Sequence, residues 1–353
     1  MPSGCSIRKV FSVQFLCLLC QIAKHECLLC QFIHERDCKP MPSQVELETL
    51  QDAIEHFSVP QNAIDYMVRL RWPDGTVKCP TCGSENVTWM PSRSLFQCKG
   101  RHTKCQFSVK VGTIFEDSPI ALGKWLLIGW MLANCRNGIS SHEAARTVGI
   151  TQKSAWFMLH RLRVAAQEDI HTEPLFDEVE CDETYVGGKS RNMHARKRAQ
   201  KIHSGGVHDK TPVMGILQRG GKVRAMVVKN HRRVHLYAEI KKHVAPGSTL
   251  YTDDLHSYRG LPDYVHQYVD HATKYVSGQV HTNGLENFWS LLKRCVKGTY
   301  IQVRPEHLQA YVAEQVFRYN SRKKLGVSEQ QRFSTLLEGT TGKRLTYAEL
   351  ITR

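Results

Sequence analysis

The chain has 353 residues, 41% of them hydrophobic and 23% charged, which is the profile of a globular protein of two or three domains. Lys and Arg number 48 against 33 Asp and Glu, a formal net charge of +15, so a polyanionic partner is favoured, nucleic acid ahead of an anionic membrane. The 13 cysteines, an odd number in a long chain with several at C-x-x-C spacing, argue against a secreted disulfide framework and for metal or free thiols in a reducing compartment.

Residues 1–40 differ in texture from the rest. The run VFSVQFLCLLCQIA (10–23) follows Arg8 and Lys9. It is short for a membrane span, and no small-residue cleavage site follows it. Cys17/Cys20 and Cys27/Cys30 have C-x-x-C spacing with Leu-Leu fillers, a weaker zinc pattern than the one downstream. The expectation is an atypical extension upstream of a true start at Met41. Residues 41–70 then read as a helical segment broken at Pro60.

Residues 71–112 read as a zinc ribbon. Cys79, Cys82, Cys98 and Cys105 give the pattern C-x2-C-x15-C-x6-C. Four thiolates suit one tetrahedral structural Zn2+, and the Pro and Gly of CPTCGS let the first pair grip a single ion. His102 lies between the second pair and is the alternative fourth ligand. The bland reading, free buried thiols, does not explain the turn residues.

Residues 113–173 are expected to be helical. PIALGKWLLIGWMLANC (119–135) reads as a buried helix. In GISSHEAARTVGITQKSAWFMLHRLRVA (138–165), Ser140 and Glu143 form a capping-box pattern, Gly149 marks a turn, and Thr151 can cap a second helix. Two short helices across a glycine turn suggest a helix-turn-helix-like DNA-binding region. Lys153, Arg161 and Arg163 on the second helix are its candidate DNA contacts. The plain alternative is a helical hairpin inside a core.

After Pro174 the pattern becomes α/β. Strands are expected at 178–186, 212–219, 222–228 and 249–254, with a hairpin at Gly220-Gly221 and helices at 234–243, 284–295 and 305–320. Between the first two strands, KSRNMHARKRAQK (189–201) carries Lys189, Arg191, Arg196, Lys197 and Arg198. Such a run is either a solvated loop or a phosphate clamp. The α/β region is taken as 174–325, with 326–353 as a C-terminal tail.

Three acids stand out. Asp182 lies in the middle of the first strand, Asp253 closes the strand TLYTD, and Glu286 falls on the expected helix. Strand order of this kind can bring two strand-borne carboxylates and one helix-borne carboxylate together above a sheet. All-oxygen ligands suit Mg2+ or Mn2+, and two such ions roughly 3.5–4 Å apart suit phosphoryl transfer. Lys293 follows Glu286 by two helical turns and can serve the same phosphate. Glu180 shares a strand face with Asp182, while Glu183 points away. Trp289 either braces that face or packs in the core.

These blocks carry a resemblance. VECDETYVGGK, TDDLHSYRGL and HTNGLENFWSLLKR resemble the three catalytic blocks of the DDE transposases of insertion-sequence family 1595, the ISXO type. CPTCGS, CQFSVKVGTIFEDS and GISSHEAARTVGITQKSAWFMLHRLR resemble that family's zinc ribbon and following helices. The resemblance covers about residues 45–320. It implies an RNase H-like catalytic fold, two Mg2+ or Mn2+ ions per site, and cleavage and strand transfer at the ends of the protein's own element. It also implies assembly as a dimer or larger complex on DNA, in a prokaryotic cytoplasm at the nucleoid. Asp182 and Asp253 match the two aspartates, Glu286 the third acid, and Lys293 the trailing base. Asp254 and Asn283 are the alternatives to Asp253 and Glu286. Two other functions stay open: a catalytically inactive DNA-binding regulator, and a metal-dependent nuclease that only hydrolyses. No phosphate-binding P-loop is visible.

Overall fold

The computed structural model describes residues 46–167, 173–187, 194–196, 210–253, 261–269 and 281–352. The 1–40 extension lies outside them. Helix α1 (Leu50–Ser58) opens at Thr49, whose hydroxyl accepts from the Asp52 N–H while the Asp52 carboxylate accepts from the Thr49 N–H, a closed capping box. Pro60 starts α2 (Pro60–Arg71) at a position where a missing N–H costs nothing, so the expected break there is a helix start. Strands β1 (Val87–Met90), β2 (Leu95–Cys98) and β3 (Gln106–Phe107) form a small antiparallel sheet in chain order. Helix α3 (Leu122–Asn134) buries Trp125, Leu126, Ile128, Trp130 and Leu132, as its unbroken apolar run predicts. Ser140 and Glu143 close the expected capping box of α4 (Ser141–Val148), Gly149 turns the chain at φ 62°, and Thr151 caps α5 (Gln152–Ala165).

A second layer system begins at β4 (Glu178–Val186). With β5 (Thr211–Gln218), β6 (Val223–Val227), β7 (Thr249–Asp253) and β8 (Val265–Val269) it makes a five-stranded mixed sheet of order β6-β5-β4-β7-β8. The β6–β5–β4 neighbours are antiparallel, whereas β4–β7 and β7–β8 are parallel. The β7 strand needs a crossover to lie parallel to β4, and α6 (Arg233–His243) lies in that connection. Alternation then sorts the side chains. Val179, Cys181, Met214, Ile216 and Leu250 pack with Leu236 and Ile240 of α6. The opposite face, with Val213 and Leu217, is covered by Leu285, Phe288 and Trp289 of α7 (Asn283–Arg294) and by Leu308, Val312 and Val316 of α8 (Leu308–Asn320). The result is an α/β architecture with helices on both faces of the sheet. The strand β8 has no counterpart among the sequence expectations. At the sheet edge its Val265 and Tyr268 stay exposed, so it lacks a clean inward-outward pattern.

The stretch read as a C-terminal tail also differs. Ser328 and Gln331 form a capping box that opens α9 (Glu329–Glu338), and a short α10 (Tyr347–Ile351) follows. Phe333, Leu336 and Leu337 are fully buried in the core that holds Phe57, Met67, Trp125 and Leu162. Each such side chain contributes about 1.5–3 kcal/mol on burial, so the segment is part of the helical core and not an appendage. The two cores meet where Arg163 of α5 donates from Nε to Glu314 of α8 at 2.6 Å. Arg318 and Tyr300 donate to the same carboxylate.

Candidate active site and metal centre

Asp182 sits on the α7 face of β4, directly opposite Gly215 of β5. A Cβ at Gly215 would lie 2.6 Å from the Trp289 ring, so the missing side chain is what lets that ring lie on the sheet. From there Trp289 donates its indole N–H to Asp182 Oδ2 at 2.9 Å, and the Glu183 N–H donates to Oδ1 at 2.8 Å. The parallel neighbour β7 pairs Thr252 with Cys181, so Asp253 and Asp182 follow at the same end of adjacent strands. Burial pushes the Asp182 carboxyl up to about 6; the Trp289 and Glu183 N–H groups oppose this, and the nearby carboxylates of Asp253 and Glu286 add to it. Asp253 and Glu286 therefore both act on Asp182 electrostatically. Glu286 lies exposed in the first turn of α7, Asn283 is that helix's exposed first residue, and Lys293 is half-buried two turns on. Asp254 is outside the described residues.

Sequence reasoning placed Glu180 beside Asp182 and assigned it no role. In the fold it is 1% exposed. Its Oε2 accepts from the Leu285 N–H at 3.0 Å, and its Oε1 takes the Arg219 guanidinium at 3.2 Å. His281 Nδ1 lies 3.5 Å from the same oxygen. Arg219 also donates to the His281 carbonyl at 2.9 Å and lies over the Tyr251 ring at 3.9 Å. Glu180 thus caps the N-terminus of α7 from the sheet, where an orphan N–H and the helix dipole both favour a carboxylate. Gly284 permits the approach, since a Cβ there would lie 2.7 Å from Glu180 Oε2 and 2.4 Å from Leu217. The helix bearing Glu286 is thereby clamped to the strand bearing Asp182. The signal for this was Gly284, a glycine in the first turn of an otherwise apolar-periodic helix.

The donor chemistry of the three acids fits divalent cations of the Mg2+ or Mn2+ type, although among the described residues only the ribbon gathers three or more ligand atoms within 4.8 Å of one another. The set is made of carboxylates alone, and one of them is half-buried with like charges acting on it, an arrangement that a cation relieves.

The ribbon fits zinc. Ligand atoms of Cys79, Cys82, Cys98 and His102 all lie within 4.8 Å of one another. Cys82 Sγ and Cys98 Sγ are 3.6 Å apart, near the roughly 3.8 Å expected of two thiolates on a tetrahedral ion with Zn–S bonds of ~2.3 Å. Cys79 Sγ lies 3.5 Å from His102 Nε2. Burial works to raise the Cys79 thiol, but N–H donors of Cys82 and Thr81 hold it down to about 7, which favours the ligating thiolate. The expected fourth ligand, Cys105, is replaced here by His102. The long second spacing lets the 99–104 loop fold His102 inward, while the Cys105 thiol donates to the His102 carbonyl at 2.6 Å.

The expected basic contacts divide. Arg163 is 1% exposed and spent on Glu314. Arg161 is 5% exposed, donates to the Glu116 carbonyl at 2.7 Å, and lies over the Trp125 and Phe157 rings. Both are corrected from DNA contacts to interior groups, because α5 is covered on both sides by α8 and by the 115–125 segment. Lys153 in the first turn of α5 and Arg196 are exposed. Lys189, Arg191, Lys197 and Arg198 lie outside the described residues.

The class is that of transposases: residues 174–320 match the ISXO2-like transposase domain, and residues 61–106 match the transposase zinc-ribbon domain. The chain belongs to the IS1595 family of transposases. It is 29% identical over 256 residues to a protein described as an uncharacterized protein in transposable element ISH50, from Halobacterium salinarum. That match covers 68% of this chain and 84% of the relative. It is 31% identical over 102 residues to an uncharacterized transposase-like protein of Haemophilus influenzae, covering 28% of this chain and 82% of the relative. Among the described residues no helix is long and apolar enough to cross a membrane.

Proposed function

We propose that the protein binds the ends of its insertion sequence and carries out metal-dependent DNA cleavage and strand transfer. The observation that carries this reading is Asp182, a half-buried carboxylate on which two further carboxylates, on β7 and α7, act electrostatically. In this reading Asp182, Asp253 and Glu286 hold two Mg2+ or Mn2+ ions. When bound, these would polarise the scissile phosphate and stabilise the oxygens that attack and leave. Trp289 and Glu180 orient the ligands, and Lys293 meets a phosphate oxygen. Water attacks the phosphodiester at the element's end and the 3′-oxygen leaves; that 3′-hydroxyl then attacks target DNA. In each step one P–O bond forms and one breaks, so no ATP is consumed.

The catalytic region, 174–325, is proposed as RNase H-like. The support is the strand order with two antiparallel and two parallel neighbours, and acids on the central strand and the strand beside it. Residues 71–112 form the zinc ribbon, and 113–173 a helix-turn-helix-like DNA-binding region that presents Lys153. The basic residues Lys189, Arg191, Arg196, Lys197 and Arg198 hold phosphates. Joining two ends requires a dimer or larger assembly on DNA, in the prokaryotic cytoplasm at the nucleoid.

The test is a strand-transfer assay with Mg2+ or Mn2+ on labelled element ends, comparing the wild type with Asp182→Asn, Asp253→Asn and Glu286→Gln. Joined products from the wild type, lost in all three variants while DNA binding persists, are the expected result. Cleaved but never joined ends would make the protein a nuclease. Binding without cleavage would make it a regulator.

A further inference from the structure

A pocket of about 390 Å³ opens between the first turn of α5, the segment 302–307 and α10, within the roughly 300–1,000 Å³ span of small-ligand sites. Its walls combine three kinds of group. Trp156 and Tyr347 supply aromatic surface, Lys153 and Arg304 supply positive charge, and Gln152 and Gln302 supply amides. No carboxylate is among the described residues that line it. The Lys153 ammonium already rests on the Tyr347 ring, 4.9 Å from its centroid. Rings for a base face, amides for a base edge and cations for a phosphate are the chemistry of a single nucleotide.

A second observation stands beside the pocket. Ile301, the residue before Gln302, has φ 59° and is 79% exposed. A β-branched residue in the left-handed region is a genuine outlier, and such strain persists where the surroundings impose it. The fold therefore holds an apolar side chain out in solvent next to a cationic, aromatic pocket. Apolar side chains in such positions act as wedges between base steps.

Resting on the DNA reading above, we propose that this pocket captures one unpaired DNA nucleotide, with Ile301 as the wedge that parts it from its neighbour. The site is separate from the carboxylate face, and it explains why Lys153 remains exposed when Arg161 and Arg163 of the same helix do not.

The test uses the full chain and a short duplex in which one 5-iododeoxyuridine is either bulged out or paired with dA. The bulged probe should bind roughly tenfold more tightly, and irradiation should crosslink it to the peptides that hold Trp156 or Tyr347. Tyr347→Leu should weaken the bulged probe about tenfold more than the paired one and so remove the preference. Ile301→Ser should reduce crosslinking of the paired probe and leave the bulged one untouched. Equal affinity for both probes, with crosslinks outside the pocket, overturns the proposal and leaves the DNA reading standing. Failure to bind either probe removes both.

Discussion

Glu314 is a fully buried carboxylate and Asp182 a half-buried one, and the fold treats them in opposite ways. Glu314, at 0% exposure, receives Arg163, Arg318 and the Tyr300 hydroxyl. Burial opposes its ionisation, yet the two guanidinium groups hold its carboxyl below the usual range. Among the described residues Asp182 receives two N–H groups, and the charges acting on it are those of Asp253 and Glu286. Glu314 joins two cores with its charge balanced inside the chain, whereas Asp182 is half-buried with like charges acting on it, which is the charge pattern that the proposed metal binding would relieve.

The sharpest way to break this comparison is Glu314→Gln. It strands two buried guanidinium groups, and losing one partner of a buried ion pair costs about 3–5 kcal/mol. Denaturant unfolding at neutral pH should show that loss. A loss under about 1 kcal/mol, as for an exposed pair, would mean that Glu314 does not bear the join.

The pH dependences should have opposite signs. The folded Glu314 carboxyl is depressed, so its contribution is present above the unfolded value near 4.5 and is lost as pH falls. The folded Asp182 carboxyl is raised from 3.8 to about 6. Its contribution is therefore present below 3.8 and lost as pH rises through 6, at most about 3 kcal/mol in all. Without added Mg2+ or Mn2+, Asp182→Asn should flatten the fall in stability between pH 4 and 6.5 relative to wild type. Parallel curves for the two proteins would show that Asp182 is not strained in the metal-free state. The smallest effect belongs to Trp289→Phe, which removes one donor from Asp182. It should cost about 1–2 kcal/mol at pH 8 and less at pH 4, where the carboxyl is neutral. A loss independent of pH would assign Trp289 to packing alone.

Much of this was legible before any coordinates. Capping boxes, glycine turns and alternation are local signals, so the helices from residue 50 to 165 and four of the five strands fall close to their expected places. The acids stand out in the sequence because Asp182 interrupts an apolar alternation and Asp253 ends a strand; the structure adds that Asp253 and Glu286 act on Asp182. The C-terminal helix was missed although Ser328 and Gln331 announce it in the same way as Ser140 and Glu143. Arg161 and Arg163 were misread because helical periodicity reveals one apolar face, and it cannot show that α8 covers the other.

By itself the sequence determined the local elements, the order of the cysteine and acid motifs, and the family they spell, because each depends on residues close in the chain or on motif wording. Only the tertiary structure decided which charges are interior, that His102 and not Cys105 completes the cysteine cluster, and that Glu180 clamps α7 through Gly284. Those outcomes depend on what lies on the far side of a helix or strand. That is set by long-range packing and the desolvation it imposes, and no run of neighbouring residues encodes it.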